Sequence, residues 1–215
     1  MMKRITLLRR RENLSIADFR DHWAGPHAEI AKHFPGMSKY NQNRVDELVW
    51  EIGDAGYEID GVVELWFASQ QAMTSAAASS VSAQLKIDEP RFLSGLTGLL
   101  AGETWATYSA EKHKYMVLGY SKEPDIVTDA VAGWCRAAPP GDAPAEFACD
   151  RLSFGFRRER LWAEPEIPNV AFSFWFKTRR TARESIGRSR APLKQLMKPF
   201  MKKAQMLKVD ELRII

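Results

Sequence analysis

One order of secondary structure occurs twice along this chain, and that repetition limits its fold more than any other feature. Lys3–Arg9 alternates around Ile5 and Leu7 and reads as a strand buried on both faces. A helix follows from Ile16, behind Ser15 as its N-cap with Asp18 three residues on. Met37–Trp50 and Gly61–Phe67 read as strands, Gln70–Ser80 as a helix, Asp88–Leu93 as a short helical turn and Leu99–Tyr108 as a fourth strand. The order is β-α-β-β-α-β. It recurs as strand Tyr115–Ser121, helix Asp125–Arg136, strands Phe147–Trp162 and Val170–Lys177, a basic helix over Thr181–Ala204, and a closing strand Met206–Ile215.

Each unit has the ferredoxin-like order, so the chain divides into repeats at 1–111 and 112–215. A four-stranded sheet with helices on one face leaves its other face bare, and a second sheet is the natural cover. The expected fold class is therefore α+β: two ferredoxin-like β-α-β-β-α-β repeats closing an eight-stranded barrel. A barrel of about eight strands can hold one small ligand. One chain supplies both sheets, and pairing of two chains into a homodimer stays open as a second way to close them.

Charge and composition narrow the function classes. The 215 residues are 45% hydrophobic and 27% charged, with no run of about 18 apolar residues that would span a bilayer. The N-terminus MMKRITLLRRRENLS has no signal-peptide cleavage site, and two cysteines, Cys135 and Cys149, are too few for a disulfide framework; a cytoplasmic location is expected. Of the net charge of +4, Lys177–Lys208 contributes +10, from eleven basic residues against Glu184, so the remainder is −6. That segment reads as the solvated face of a helix, with anion steering or a partner contact as alternatives. No helix-turn-helix, RNP-type or zinc-finger pattern accompanies it, so no nucleic-acid partner is expected. Glycine-rich phosphate loops, a Rossmann fingerprint and a nucleophile elbow are absent too, and no nucleotide cofactor is implied.

The chemistry concentrates in Arg9–Phe34, which holds three of the four histidines. Phe19, Trp23, His27, Ile30, Ala31 and Phe34 recur at three- and four-residue steps, placing His27 on an apolar stripe. An imidazole in that setting is a candidate general acid/base; its bland alternative is a core histidine bonded to a backbone carbonyl freed by Pro26. His22 stands about 140° from His27 on an ideal helix, so a shared site needs the Gly25-Pro26 break to realign them. His33 reads as a helix-end residue. Spacings of five and six among His22, His27 and His33 match no common helical ligand pattern, and no metal site is expected.

Three further groups of residues are candidates. On the strand Gly61–Phe67, Glu64 lies between Val62 and Trp66 and faces the open side of the sheet as an acid, base or histidine partner. Tyr40 and Asn43 are candidate hydrogen-bond donors to a phenol or carboxylate, although simple alternation puts them on opposite faces. Trp66, Trp105, Phe154, Phe172 and Phe174 could pack an aromatic ligand, with plain core as the commoner role of such stripes.

In order, Arg-Arg before the first helix, Phe19, His22-Trp23, His27, Tyr40, Gln42-Asn43, Glu64-Leu65-Trp66 and Asp88-Glu89-Pro90-Arg91-Phe92 make residues 3–108 resemble the EthD family of dimeric α/β-barrel proteins. The second repeat is similar in element order only: its first helix, DIVTDAVAGWCRA, has no histidine. The family takes its name from an ether-degradation gene cluster, and relatives with this domain include cofactor-independent decarboxylases of aromatic polyketide acids. The resemblance implies a small catabolic or tailoring protein for aromatic compounds. The expected function is a cofactor-independent lyase of decarboxylase type, acting on an aromatic or polyphenolic acid with His27 as general acid/base. His22 or Glu64 would assist, Tyr40 or Asn43 would orient the substrate, and a phenylalanine wall from the second repeat would exclude water. The alternatives are a non-catalytic barrel that binds a hydrophobic aromatic molecule or a partner, and a cofactor-free monooxygenase or cyclase.

Overall fold

The computed structural model describes the backbone of residues 1–54, 56–106, 113–139, 143–157 and 167–215, and the side chains of these residues except 103–106. Eight antiparallel strands close into one barrel: β1 (Met2–Arg10), β2 (Met37–Ile52), β3 (Gly61–Phe67), β4 (Leu93–Ala106), β5 (His113–Ser121), β6 (Glu146–Arg157), β7 (Val170–Phe176) and β8 (Met201–Arg213). Around the barrel they run β1-β3-β2-β8-β5-β7-β6-β4. Each half thus keeps the order fourth-first-third-second, and the halves join where β2 meets β8 and β4 meets β6. The boundary expected at residues 111 and 112 lies outside the described residues.

Period-two strands sort the buried side chains into three clusters. Ile5, Leu7, Val62, Leu99, Met116, Leu118, Leu152, Ala171 and Leu207 fill the barrel interior. Leu8, Val63, Leu65 and Phe67 face outward, under the helices of the first half: α1 (Ile16–His22), α2 (Ala28–Ala31), α3 (Gln70–Ala77) and α4 (Ser80–Phe92). Val117, Val170, Phe172, Phe174 and Phe176 face outward under α5 (Pro124–Ala137) and α6 (Arg179–Met197). Among the described residues, no helix is long and apolar enough to cross a membrane.

Several boundaries differ from those expected: β4 begins at Leu93 instead of Leu99, and α3 ends at Ala77, before Ser80. The turn foreseen at Asp88–Leu93 is the last part of α4, which starts behind Ser79, whose hydroxyl accepts from the Ser82 N–H. The basic helix ends at Met197 instead of Ala204, because Pro199 has no N–H to give the Gln195 carbonyl and β8 begins at Met201.

Candidate functional site

Between α1 and α2 the chain makes a π-helical turn, Trp23–His27, with Gly25 at φ −97° and ψ −105°. Pro26 has no N–H to give the carbonyl four residues back, and Gly25 leaves helical backbone, so the helix kinks there. The kink brings His22 and His27, five residues apart, to one side. Their rings meet one carboxylate on α4. His22 Nε2 lies 3.0 and 3.2 Å from the two Asp88 oxygens, and His27 Nδ1 lies 3.0 Å from Asp88 Oδ2. Two contacts fix the turn on the sheet. The Trp23 carbonyl accepts from Gln42 Nε2 at 2.8 Å, and the Trp23 indole lies so close to Gly61 that a Cβ there would fall 2.5 Å from the ring.

Asp88 is buried, with 3% of its surface exposed. Burial pushes its carboxyl up, but the hydrogen bonds from His27 and His22 outweigh this and hold it below the usual carboxylate range. An ionised carboxylate can only accept, so His27 donates from Nδ1 and His22 from Nε2. In its neutral form the ring then carries its lone pair on Nε2, and in its protonated form an N–H. Phe92, fully buried, backs both rings, with its centroid 4.7 Å from that of His22 and 4.9 Å from that of His27. The Asp88 carboxylate therefore satisfies His27, in place of the backbone carbonyl weighed as its alternative partner.

His27 lines a small cavity of about 40 Å³ between the outer face of the first sheet and the helices, together with Arg4, Thr6, Phe34, Tyr40, Leu65, Glu89 and Phe156. Arg4, Phe34 and Phe156 also line an outer cleft of about 350 Å³, which continues past Met73, Lys86 and Leu100. Tyr40 is buried, and its hydroxyl accepts from Gln42 Nε2 at 2.8 Å. Burial pushes the phenol well above its usual range, so Tyr40 presents a neutral O–H.

Several candidates stand elsewhere. Glu64 faces the barrel interior, on the opposite side of the sheet from His27, where it pairs with Lys3 at 2.8 Å and with Lys114 and accepts from Asn43 Nδ2 at 3.0 Å. Burial pushes Glu64 up, but the two lysines outweigh it and hold the carboxyl well below its usual range. Lys3 also pairs with Asp150, and Lys114 with Glu211. Glu64 and Asn43 thus belong to an internal ion cluster and do not share the His27 cavity. Trp66 also faces inward, its ring centroid 5.3 Å from Lys3 Nζ.

Phe172 and Phe174 face outward into the core under α5 and α6, because strand alternation puts them opposite Ala171 and Ser173; they form no wall beside His27. Phe154 is exposed, and so is His33. The Trp105 backbone pairs with Cys149 in the barrel, while its side chain lies outside the described residues. Among the described residues, no group of three or more His, Cys, Asp or Glu is placed to hold a metal ion.

Asp88 and Arg4 were not singled out from the sequence. Asp88 opens the Asp-Glu-Pro-Arg-Phe run, but nothing local links it to histidines 61 and 66 residues away. Arg4 had a faint signal: a second cation, next to Lys3, on a strand buried on both faces.

The EthD domain family matches residues 11–95, which span the π turn, both histidines and Asp88. No curated protein sequence matches the chain. Among solved structures, an anthrone oxidase-like protein superposes with a TM-score of 0.57 at 11% identity, over 99% of this chain and 93% of that one. A candidate monooxygenase from Lactobacillus acidophilus NCFM gives 0.56 at 11% identity, over 100% and 94%. At such identities the likeness establishes the shared barrel fold.

Proposed function

With an EthD domain at residues 11–95 set in a closed α/β barrel, we propose that the protein is a cofactor-independent lyase of decarboxylase type acting on a hydroxylated aromatic acid. One observation carries this reading. Asp88 holds His27 by Nδ1, and His27 lines a cavity that Tyr40, kept neutral by burial, lines as well. A positioned imidazole backed by a buried carboxylate is the arrangement that moves one proton to or from a substrate, because the carboxylate fixes the tautomer and stabilises the imidazolium.

In the proposed step, protonated His27 gives its proton from Nε2 to the ring carbon that bears the carboxylate. The carbon–carboxyl bond then breaks, its electron pair restores the aromatic ring, and CO2 leaves. One proton is consumed and one CO2 released, with no oxidant or reductant. Tyr40 would hydrogen-bond a substrate oxygen, His22 would hold Asp88 from its other side, and Phe92 would keep water from the dyad.

The test is a panel of hydroxylated aromatic acids incubated with the protein in D2O, with headspace CO2 and dissolved oxygen followed together. CO2 release with one deuterium at the vacated carbon, lost in His27→Ala, is the expected result. Oxygen uptake without CO2 would assign instead the oxygenation chemistry in the names of the two structural neighbours. Tight binding with neither gas changing would make the protein a binding barrel.

A further inference from the structure

The second half of the chain has a recess of its own, of about 350 Å³, where the outward faces of β5 and β8 run under the first turn of α6. His113 and Tyr115, two residues apart on β5, share that face, and their register partners on β8 are Asp210 and Lys208. Asp46 of β2 and Arg179 of α6 complete the ring of polar groups. Arg4 stands in register with Leu65 one place after Lys3 with Trp66, and Tyr115 with Phe174 one place after Lys114 with Trp175. Tyr115 is thus the second half's counterpart of Arg4.

Charges around the recess are unevenly matched. Asp46 is held by Arg20 at 3.0 Å and by Lys208 at 3.4 Å, and Asp210 by Arg44. Arg179, the first residue of α6, pairs with no carboxylate among the described residues. It also lines a wider surface hollow with Arg180, Arg183 and Glu184, and the positive end of the α6 dipole lies there. Tyr115 decides what this excess of positive charge is for. It lines the recess with only 5% of its surface exposed, and its hydroxyl has no hydrogen-bond partner among the described residues. A buried hydroxyl left unsatisfied is costly, and a ligand acceptor removes that cost. Burial, aided by the Glu47 carboxylate, pushes the phenol up, so Tyr115 stays an O–H donor.

We propose that this recess binds the oxyanion of a small ligand, a carboxylate or a phosphate, between the Arg179 guanidinium and the Tyr115 hydroxyl, with Lys208 and His113 beside it. A cavity of about 150 Å³ accommodates one benzene ring. The recess, at about 350 Å³, therefore has room for a ring together with its charged group. The half without the His-Trp…His pattern then carries a ligand site built on other strands and another helix than the His27 cavity. The site does not rest on the reading of His27 as a reactive centre.

Calorimetry on the full chain with two probes, inorganic phosphate and benzoate, at constant ionic strength tests the site. At least one probe should bind saturably. Its affinity should fall about tenfold or more in Arg179→Gln, which removes a charge-assisted contact, and about fivefold or more in Tyr115→Phe, which removes one hydrogen bond. It should hold in His27→Ala and in Lys198→Gln, which takes an equal charge from the other end of α6. Binding of phosphate alone would make the ligand a phosphate ester, of benzoate alone a carboxylic acid, and of both an oxyanion of either kind. Circular dichroism establishes that each variant is folded. No saturable binding of either probe, an affinity unchanged in folded Arg179→Gln or Tyr115→Phe, or an equal fall in Lys198→Gln would overturn the proposal. Loss of binding in folded His27→Ala would overturn it too, by placing the anion in the first half's cavity. Binding that survives His27→Ala in a protein that releases no CO2 from any acid would keep this site and discard the lyase.

Discussion

Lys3 and Lys114 hold the same place in the two halves of the barrel: each stands in register with a tryptophan, Lys3 with Trp66 and Lys114 with Trp175, and the ammonium of each lies within 5.3 Å of its partner's ring centroid. Two residues along, the symmetry fails. Ile5 is in register with Glu64, whereas Met116 is in register with Ser173. The single Glu64 carboxylate therefore serves both lysines, one from each half. The barrel interior is thus an ionic knot in an apolar core.

Removing one partner of a buried ion pair leaves the other charge unsatisfied, which costs about 3–5 kcal/mol. Glu64→Ala should lose stability at or below the lower end of that scale in urea unfolding, because it takes one carboxylate partner from each of two lysines while leaving Lys3 its pair with Asp150 and Lys114 its pair with Glu211. Glu64→Gln, which keeps a hydrogen-bonding oxygen beside them, should lose less. Neither change touches the His27 cavity, so variants that remain folded should keep their catalytic rate.

Asp88→Asn keeps the shape of the residue but removes the charge that fixes the His27 tautomer. Loss of such an orienting carboxylate costs about 10²–10⁴ in rate with substrate binding largely retained. The expected result is a fall in kcat with KM little changed, measured on whichever acid releases CO2.

The same carboxylate sets an acid limit on the fold. Asp88 titrates below its ordinary value of 3.8 in the folded chain, so its ion contributes stability that is fully present above that value and is lost as pH falls through the lower, folded one. Thermal melts between pH 6 and pH 2 should show a decline at the acid end that is shallower in Asp88→Asn than in the native protein.

Cys135 and Cys149 are both free and buried, and burial pushes the Cys149 thiol up to about 12 and that of Cys135 higher still. Thiols are reactive only as thiolates. A disulfide exchange reagent at pH 8 should therefore label neither in the folded protein and both after denaturation.

The barrel was legible in the sequence because period two in GVVELWF and VAFSFWF, together with the repeated element order, is local information. The inner face of a strand was legible too, but not what fills it. Glu64 faces the open side of its sheet as expected; whether that side holds a ligand or two lysines depends on residues 50 and more positions away. The Phe172 and Phe174 stripe was visible as a stripe, and alternation alone does not say which of its two faces meets helices. Gly25-Pro26 pointed to the realignment of His22 and His27, since a missing N–H is a local fact. Asp88, the residue on which they realign, comes from a helix whose packing against the π turn only the folded chain provides.

Release of labelled CO2 from a carboxyl-labelled hydroxylated aromatic acid, compared among the native protein, His27→Ala and Glu64→Gln, places the chemistry on one face of the sheet or the other. Release by the native protein and by folded Glu64→Gln, with none from folded His27→Ala, is the predicted result. Release that persists in His27→Ala, or that disappears in a folded Glu64→Gln, would contradict a reactive centre at the His27–Asp88 pair.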